Sequence, residues 1–228
     1  MPPQPPDEST EFPDELARLP KGRHGLPPEF VAHNQRERLI AAFTAVVAAS
    51  GYEDTTITAI TEGAGVSSGT FYKYFATIEE CYAAAFDAAL ARFGAILIGA
   101  YDSESEWPLR VRAALAAWLD FLAGDPDVAR LLTAEPFVAG PVIAERYKDA
   151  IDRATPYLSA GREQRPAGAE PLPATTERGL LGAVNSLVSR QVKAGRAEDL
   201  RDLLPDLVQF ALTPYLGAAE ARRVATLP

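Results

Sequence analysis

The chain has 228 residues, enough for one large domain or two small ones with a hydrophobic core. Apolar residues make up 47% of it and charged residues 23%, which excludes collagen-like and wholly disordered proteins. The formal net charge of −9 argues against a protein that coats nucleic acid or anionic membranes without sequence preference. It leaves sequence-specific DNA binding open.

Few residues suit disulfides, metals or membranes. The single cysteine, Cys81, cannot form an intramolecular disulfide, and with only two histidines it cannot complete a closed structural zinc site. Residues 1–16 lack the basic and apolar regions of a signal peptide. Uncharged stretches such as 39–52 and 179–189 are shorter than the roughly 20 residues that span a bilayer. We therefore expect a cytoplasmic protein without metal, cofactor or membrane partner.

The N-terminal part, residues 1–27, divides by charge. Its first 17 residues carry five acids and no bases, with many prolines, which is typical of a disordered tail. Residues 18–38 carry five bases against two acids, a local balance of +3. Basic arms lie along narrow minor grooves in some DNA-binding proteins, so Lys21 and Arg23 are candidate DNA contacts. A flexible solubilising leader is the alternative.

Beyond the arm, apolar residues recur at helical spacing. The first stripe predicts a helix over 29–50, ended by Gly51. Thr77 and Glu80 have the form of a capping box, ahead of a longer helix that we expect to end near Gly99.

Further helices follow in the second half. Pro108 suits the first turn of one and Asp125 can cap the next, after which a third should end near Leu158. Residues 160–174 are predicted to form a loop, and the last two helices should span about 175–194 and 204–219, with a kink at Pro214. No alternating strand pattern is present in the sequence. We expect an all-α fold.

Residues 55–75 have the pattern of two very short helices joined by a tight turn. Thr56 and Ser67 can cap the two helices, and Gly65 can take the left-handed conformation that ends the first. This arrangement is a helix-turn-helix, in which the second helix lies in the major groove of DNA. Gly69 on that helix would allow close approach of the two backbones.

The sequence Ala-Gly-Val-Ser-Ser-Gly-Thr-Phe-Tyr-Lys-Tyr-Phe at 64–75 resembles the TetR family of bacterial transcriptional regulators, and the resemblance extends over about 33–93. It implies a DNA-binding domain at 28–93, with its helix-turn-helix at about 56–75, and a ligand-binding and dimerisation domain at 94–228.

The resemblance also implies roles for single residues. Thr70 and Tyr74 would bind phosphates, and Tyr72 would pack against the DNA backbone or a base. The full set of candidate DNA contacts in this segment is Thr56, Thr58, Ser67, Ser68, Gly69, Thr70, Tyr72, Lys73 and Tyr74. Two positions depart from the family pattern, since Ile78 replaces a frequent phosphate-binding lysine and Cys81 replaces a leucine. We expect Cys81 to be a small core residue.

The second half offers candidate ligand and dimer residues. Its aromatic residues suit either a core or a cavity, and the candidates for a ligand cavity are Trp118, Phe121, Phe137 and Tyr147, with Asn185 as a polar group. The last two predicted helices are apolar over a wide arc, and the resemblance implies that they form a four-helix bundle across a two-fold axis. The candidate interface residues are Leu181, Val184, Val188, Leu207, Phe210, Ala211 and Tyr215.

These features favour a homodimeric regulator that binds a pseudo-palindromic double-stranded DNA operator and responds, most often as a repressor, to an unknown small-molecule effector. The helix that starts at Thr77 would connect the two domains. One alternative is a dimeric helical protein that binds small molecules but has lost DNA recognition. The other is an all-helical enzyme, although the sequence holds no P-loop or H-E-x-x-H motif, so we expect no enzyme.

Overall fold

The computed structural model describes residues 27–136 and 138–227, and within these residues every regular element is helical. The all-α prediction is confirmed. Two short 3₁₀ turns, Ala160–Gln164 and Glu198–Leu203, lie on either side of α8. The helices are α1 (Pro28–Ser50), α2 (Ile57–Ala64), α3 (Ser68–Tyr74), α4 (Ile78–Asp102), α5 (Trp107–Gly124), α6 (Pro126–Thr133), α7 (Pro141–Ser159), α8 (Thr176–Lys193), α9 (Leu204–Leu216) and α10 (Ala218–Ala225).

Four of the predicted helices begin at the residues expected to cap them, and each capping side chain makes the expected hydrogen bond. In each, a hydroxyl or carboxylate oxygen accepts a backbone N–H bond at 3.1–3.2 Å, which satisfies a donor that the helix leaves free. The capping residues are Thr56, Ser67, Thr77 and Asp125. The capping box at α4 differs in one hydrogen bond from the usual form, in which the glutamate accepts from the N–H of the cap residue. Here the Glu80 carboxylate accepts from the N–H of Ala76, one residue before the cap, at 2.7 Å.

The C-terminal helix prediction was wrong in its end point. Pro214 lies inside α9 without ending it, and the helix stops instead at Gly217, whose φ of +78° suits glycine. A separate helix, α10, then packs back against α9 and buries Ala221 and Val224. The sequence analysis missed α10 because Val224 is its only apolar residue larger than alanine.

Helix α4 belongs to both halves of the molecule. Near its start, Cys81, Tyr82 and Phe86 are buried with residues of α1, α2 and α3. Farther along, it packs against α5 and α7. By length and composition alone α4 could cross a membrane, with 25 residues and a mean hydropathy of 1.5 over its most apolar window. Packing within the fold buries 22% of that window.

A buried ion pair holds the connection between α7 and α8. Arg162 donates two hydrogen bonds of 2.8 Å to the Glu177 carboxylate, and the Tyr215 hydroxyl donates a third at 3.0 Å. Arg162 also donates to the carbonyls of Leu172 and Pro173, which fixes the intervening loop. The Arg162 hydrogen bonds hold the pKa of Glu177 below its ordinary value. This cluster ties the loop to α8 and α9.

Glu177→Gln is expected to lower the free energy of unfolding at pH 7 by about 1 kcal/mol, because the amide lacks the negative charge and keeps only one of the two acceptor oxygens that Arg162 binds. Since the folded-state pKa of Glu177 is depressed, the wild-type advantage is present above the ordinary glutamate pKa and is lost as pH falls through the folded value. Chemical denaturation at pH 7 and pH 4 measures this. The exposed neighbour Glu163→Gln is the control, and an equal effect of both changes would contradict the assignment.

Candidate functional site

The first candidate site is the pair α2 and α3 with the turn between them. Gly65 has φ +63° and ψ +40°, the left-handed conformation predicted for it, and it turns the chain out of α2. Ser67 then starts α3, and Phe71 from that helix is fully buried in the core. Because both ends of the turn are capped and α3 is anchored by Phe71, its outer face has a fixed orientation.

A buried arginine, which the sequence analysis did not identify, fixes this turn to α1. The Arg38 guanidinium donates to the carbonyl of Ala64 and, at 3.5 Å, to that of Gly65. These are carbonyls at the C-terminal end of α2, where intrahelical donors run out. Arg38 is only 9% exposed, so the positive charge counted for it in the N-terminal segment is used inside the fold.

Five of the candidate DNA contacts lie on one exposed surface. Tyr72 is 59% exposed, and the side chains or backbone at the other four positions are also exposed to solvent. Lys73 lies 5.3 Å from the ring centroid of Tyr74. These five residues, Thr58, Ser68, Gly69, Tyr72 and Lys73, are called the recognition surface below.

The other four candidates in this segment have bonds within the protein. Thr56 and Ser67 are caps, and the Ser67 and Thr70 hydroxyl oxygens are 3.0 Å apart. The half-buried Tyr74 donates its hydroxyl proton to Gln35 of α1 at 3.0 Å. A Tyr74 hydroxyl that contacts a phosphate oxygen as a donor would first have to leave Gln35.

Gly69 is not required by the protein's own packing. A Cβ atom built there has only the Ser67 hydroxyl oxygen near it, at 3.7 Å, and the backbone does not need a positive φ. A glycine within a helix is less stable than alanine by roughly 0.5–1 kcal/mol. The space above Gly69 therefore suits close approach by another molecule.

Two further candidates, Lys21 and Arg23, lie outside the described residues. Arg36 of α1 is the exposed cation closest in sequence to them, and its guanidinium lies 5.7 Å from the Phe75 ring centroid. Ile78 is half-buried against the core, and Cys81 is fully buried, where burial raises the pKa of its thiol to about 12. Cys81 is thus an unreactive core residue.

A second polar cluster joins the helix-turn-helix half to α6. Arg130 donates to the Glu135 carboxylate at 2.9 Å and to the carbonyl of Ala48, near the end of α1, also at 2.9 Å. The other Glu135 oxygen accepts the N–H of Tyr52 at 3.3 Å. Glu135 is only 7% exposed, whereas the Arg130 side chain is 36% exposed, and this network is called the Arg130 junction below.

The second candidate site is a cavity of about 180 Å³ between α4, α5, α7 and α8. Its lining is almost entirely apolar or aromatic. Of the predicted ligand residues, Trp118, Tyr147 and Asn185 line it. Burial raises the pKa of Tyr147, and an interaction with Asn185 offsets part of that rise.

One predicted cavity residue in the described part of the chain does not line the cavity. Phe121 is not among the lining residues and packs instead against Phe93, with ring centroids 5.5 Å apart, and under the Arg92 guanidinium. Phe137 lies outside the described residues. The sequence analysis named no cavity residue on α4, which contributes Phe86, Leu90, Phe93, Leu97 and Tyr101. The apolar stripe of α4 continues beyond the residues that pack with the helix-turn-helix. This continuation was the signal in the sequence for a second apolar site.

Most of the predicted dimer residues face inward. Five of them are 4% exposed or less in the single chain, so a partner could cover almost none of their surface: Val184, Val188, Leu207, Ala211 and Tyr215. Leu181, like Val184 and Ala211, lines the cavity. This corrects the expectation, because the wide apolar arc serves the chain's own core and cavity. Phe210 alone in the predicted set is exposed, at 43%.

The outward faces of α8 and α9 nevertheless carry apolar surface. Leu187 is 41% exposed, and Phe210 borders a shallow groove with Leu180 and Pro214. A Cβ atom placed on Gly182 would have no heavy atom within 4 Å, so the backbone there is accessible. In the described parts of the chain, no group of three or more His, Cys, Asp or Glu side chains could hold a metal ion.

Known proteins resemble this chain in sequence over both halves. Residues 39–85 match the family described as bacterial regulatory proteins, tetR family. The HTH-type transcriptional regulator EthR of Mycolicibacterium smegmatis is 23% identical over 200 residues, which cover 86% of this chain and 89% of EthR. The HTH-type transcriptional activator FasR of the same organism is 27% identical over 121 residues, or 53% of this chain and 55% of FasR.

Solved structures share the fold. The regulator FadR from Bacillus subtilis, determined in complex with stearoyl-CoA, has a TM-score of 0.67 at 19% identity and covers 79% of this chain and 98% of its own. The fatty acid degradation regulator FadR from Bacillus halodurans also has a TM-score of 0.67, at 20% identity, over 77% of this chain and 97% of its own. At these identities the structural similarity establishes the fold.

Arg38→Met is expected to lower the free energy of unfolding by about 2 kcal/mol, since the carbonyls of Ala64 and Gly65 lose their buried donor. Arg36→Met, two residues earlier on the same helix and exposed, is the matched control and should change stability little. Urea denaturation of the three proteins measures the difference. Equal stabilities of the two variants would show that Arg38 does not anchor the turn.

Proposed function

We propose that the chain is a regulator of the TetR family, which residues 39–85 match, and that it is a homodimeric, ligand-responsive repressor that binds a pseudo-palindromic operator. The observation that carries the proposal is the recognition surface, whose side chains are exposed on a helix held by caps and by Arg38. A small effector in the apolar cavity would favour a dimer whose two recognition surfaces are wrongly spaced for the operator.

Direct readout of DNA bases fits the chemistry of the recognition surface. Hydroxyls of Thr58, Ser68 and Tyr72 can donate or accept hydrogen bonds at base edges or phosphates, and Lys73 supplies a charge. Gly69 would let the two backbones approach closely. Lys21 and Arg23 are proposed as auxiliary minor-groove contacts.

The effector site is proposed to be the cavity. Its position between α4, α5, α7 and α8 places it away from the recognition surface, as an effector site distinct from the DNA site requires. The FadR structure from Bacillus subtilis contains stearoyl-CoA, which supports a role in ligand binding for the same fold. Leu132 and Thr133 of α6 line the cavity, and Arg130 of the same helix forms the Arg130 junction with α1.

A short rigid helix thus connects the two sites. Displacement of α6 by an effector would move Arg130, and with it the end of α1 and the loop before α2. Helix α4, which starts beside α3 and borders the cavity, provides a second connection. We propose that both helices carry the coupling, which in regulators of this kind amounts to about 1–3 kcal/mol.

The dimer interface is proposed to be the outward face of α8 and α9, around Leu187 and Phe210. These side chains are exposed in the single chain. Packing two copies of this face across a two-fold axis would form a four-helix bundle and set the distance between the two recognition surfaces.

Gly69→Ala tests the DNA-binding surface. The change should leave the fold intact and stabilise the free protein by about 0.5–1 kcal/mol, since alanine is the better helix residue and the Cβ has room. It should weaken operator binding by roughly tenfold or more, through lost contacts at the approached groove. The operator is first selected from random duplex DNA with the wild-type protein, and affinities are then measured by fluorescence anisotropy.

The control is Gly124→Ala, at another open helical glycine far from the recognition surface in sequence, which should bind the operator as wild type does. Unchanged operator affinity of Gly69→Ala would contradict close approach at this position. Failure of the wild-type protein to select any DNA would overturn the proposed function.

Leu187→Glu and Phe210→Glu are expected to raise the dimer dissociation constant by about 100-fold or more, because each would bury an unpaired carboxylate. Analytical ultracentrifugation measures the oligomeric state. Ile96→Glu, which replaces an equally exposed apolar residue on α4, is the control and should remain dimeric. Dimers of normal strength in both α8 and α9 variants would place the interface elsewhere.

A further inference from the structure

Tyr74 and Gln35 form a hydrogen-bonded pair where α1 meets the end of α3. The Tyr74 hydroxyl donates to the side-chain oxygen Oε1 of Gln35 at 3.0 Å, and both side chains are half-buried. A tyrosine hydroxyl has a single proton, and here Gln35 accepts it. A DNA phosphate is ionised at neutral pH and can only accept hydrogen bonds. Tyr74 in this position therefore has no proton left to donate to a phosphate.

The Gln35 amide can supply that donor instead. Its oxygen is the acceptor of the pair, so the amide nitrogen Nε2, with its two N–H groups, is the end that can donate to a further group. A hydrogen bond received at Oε1 polarises the amide and strengthens donation from Nε2. The pair thus forms a chain of donors that runs from the Tyr74 hydroxyl through the Gln35 amide.

Positive charges from both helices flank this pair. Arg36 of α1 has its guanidinium 5.7 Å from the Phe75 ring centroid, and its side chain is 44% exposed. Lys73 of α3 is exposed, with its amine 5.3 Å from the Tyr74 ring centroid. The Glu37 carboxylate lies 3.1 Å from Arg36 and offsets part of the charge, although exposed ion pairs of this kind are weak. An anion beside the pair would therefore have two cations near it.

We propose that Gln35 binds a DNA phosphate through Nε2 and that Tyr74 is the positioning residue that holds Gln35 for this contact. The family resemblance implies a phosphate contact by Tyr74, whereas in this chain the contact passes to α1. Because the amide is uncharged, it fixes the register of the recognition surface on the DNA backbone without counterion release of its own. This inference rests on the proposed function and adds a contact residue outside the helix-turn-helix.

Single and double variants separate the two roles, with affinity for the selected operator measured by fluorescence anisotropy on the full-length protein. Gln35→Met removes the donor at similar volume and should weaken binding about tenfold, as expected for one hydrogen bond to a charged group. Tyr74→Phe removes only the hydroxyl that positions Gln35 and should weaken binding about threefold. The double variant should bind as Gln35→Met does, because Tyr74 acts through Gln35.

Gln35→Glu tests the donor while keeping an acceptor for the Tyr74 hydroxyl. It should unfold at the same urea concentration as the wild type but bind the operator more weakly than Gln35→Met, because a carboxylate repels a nearby phosphate. The control is Gln164→Met, the same change at an exposed glutamine in the 3₁₀ turn Ala160–Gln164, which should bind as the wild type does. Wild-type affinity of either Gln35 variant would overturn the proposal.

Operators in which one phosphate at a time is replaced by an uncharged methylphosphonate locate the contact. One position in each half-site should weaken binding of the wild type but cause no further loss in Gln35→Met, a result that a merely structural role of Gln35 would not produce. If every position weakens Gln35→Met as much as it weakens the wild type, Gln35 contacts no phosphate and the proposal is overturned.

The remaining outcomes distinguish this inference from the proposed function. If the double variant loses the product of the two single effects, the Tyr74 hydroxyl contacts DNA independently and the inference fails, while operator binding stands. If the wild type binds a selected operator and Gln35→Met binds it equally well, the inference alone fails. If the wild type selects no DNA, the proposed function and the inference fail together.

Discussion

The Arg130 junction is the interaction on which the two halves of the molecule depend. A carboxylate as buried as Glu135 is stable only with its partners in place, and those partners come from α6 and from the chain just after α1. Arg130 also caps a carbonyl near the end of α1. The network therefore has one well-satisfied geometry, and any shift of α6 relative to α1 must break or rearrange it. Such a network transmits small displacements, because it does not deform continuously.

The cavity lies against α6, the same helix that contributes Arg130 to the junction. Thr133, which lines the cavity, lies less than one helical turn from Arg130, so a molecule that repacks the cavity wall acts on the same short helix that holds α1. On the other side of the junction, Arg38 fixes the turn before α3 to α1. The Arg130 junction and the Arg38 contact thus lie between the cavity and the recognition surface.

Local features of this fold could be predicted from the sequence, whereas partners distant in the chain could not. The caps Thr56, Ser67 and Asp125 act over three residues, so their pattern alone predicts the helix starts. Arg38 and Arg130 bind groups 26 and 82 residues away, which no local pattern indicates. The wide apolar arc of α8 was attributed to a partner chain, because periodicity reports which residues avoid water but not whether a core, a cavity or another protomer covers them.

The acidic net charge of the chain and the low charge of the helix-turn-helix segment have the same consequence for DNA binding. Within 55–75 the charged residues are Glu62 and Lys73 alone. The Arg38 guanidinium is buried and donates to a carbonyl of the protein, so it does not contact DNA phosphates. Phosphate neutralisation by this segment is therefore slight, and binding to arbitrary DNA gains little from counterion release. Affinity must come instead from contacts that need a matched groove, around Gly69 and Tyr72, and from pairing two such surfaces at a fixed distance. In the proposed function, an effector that changes that distance by a small amount would therefore act on nearly all of the available binding energy.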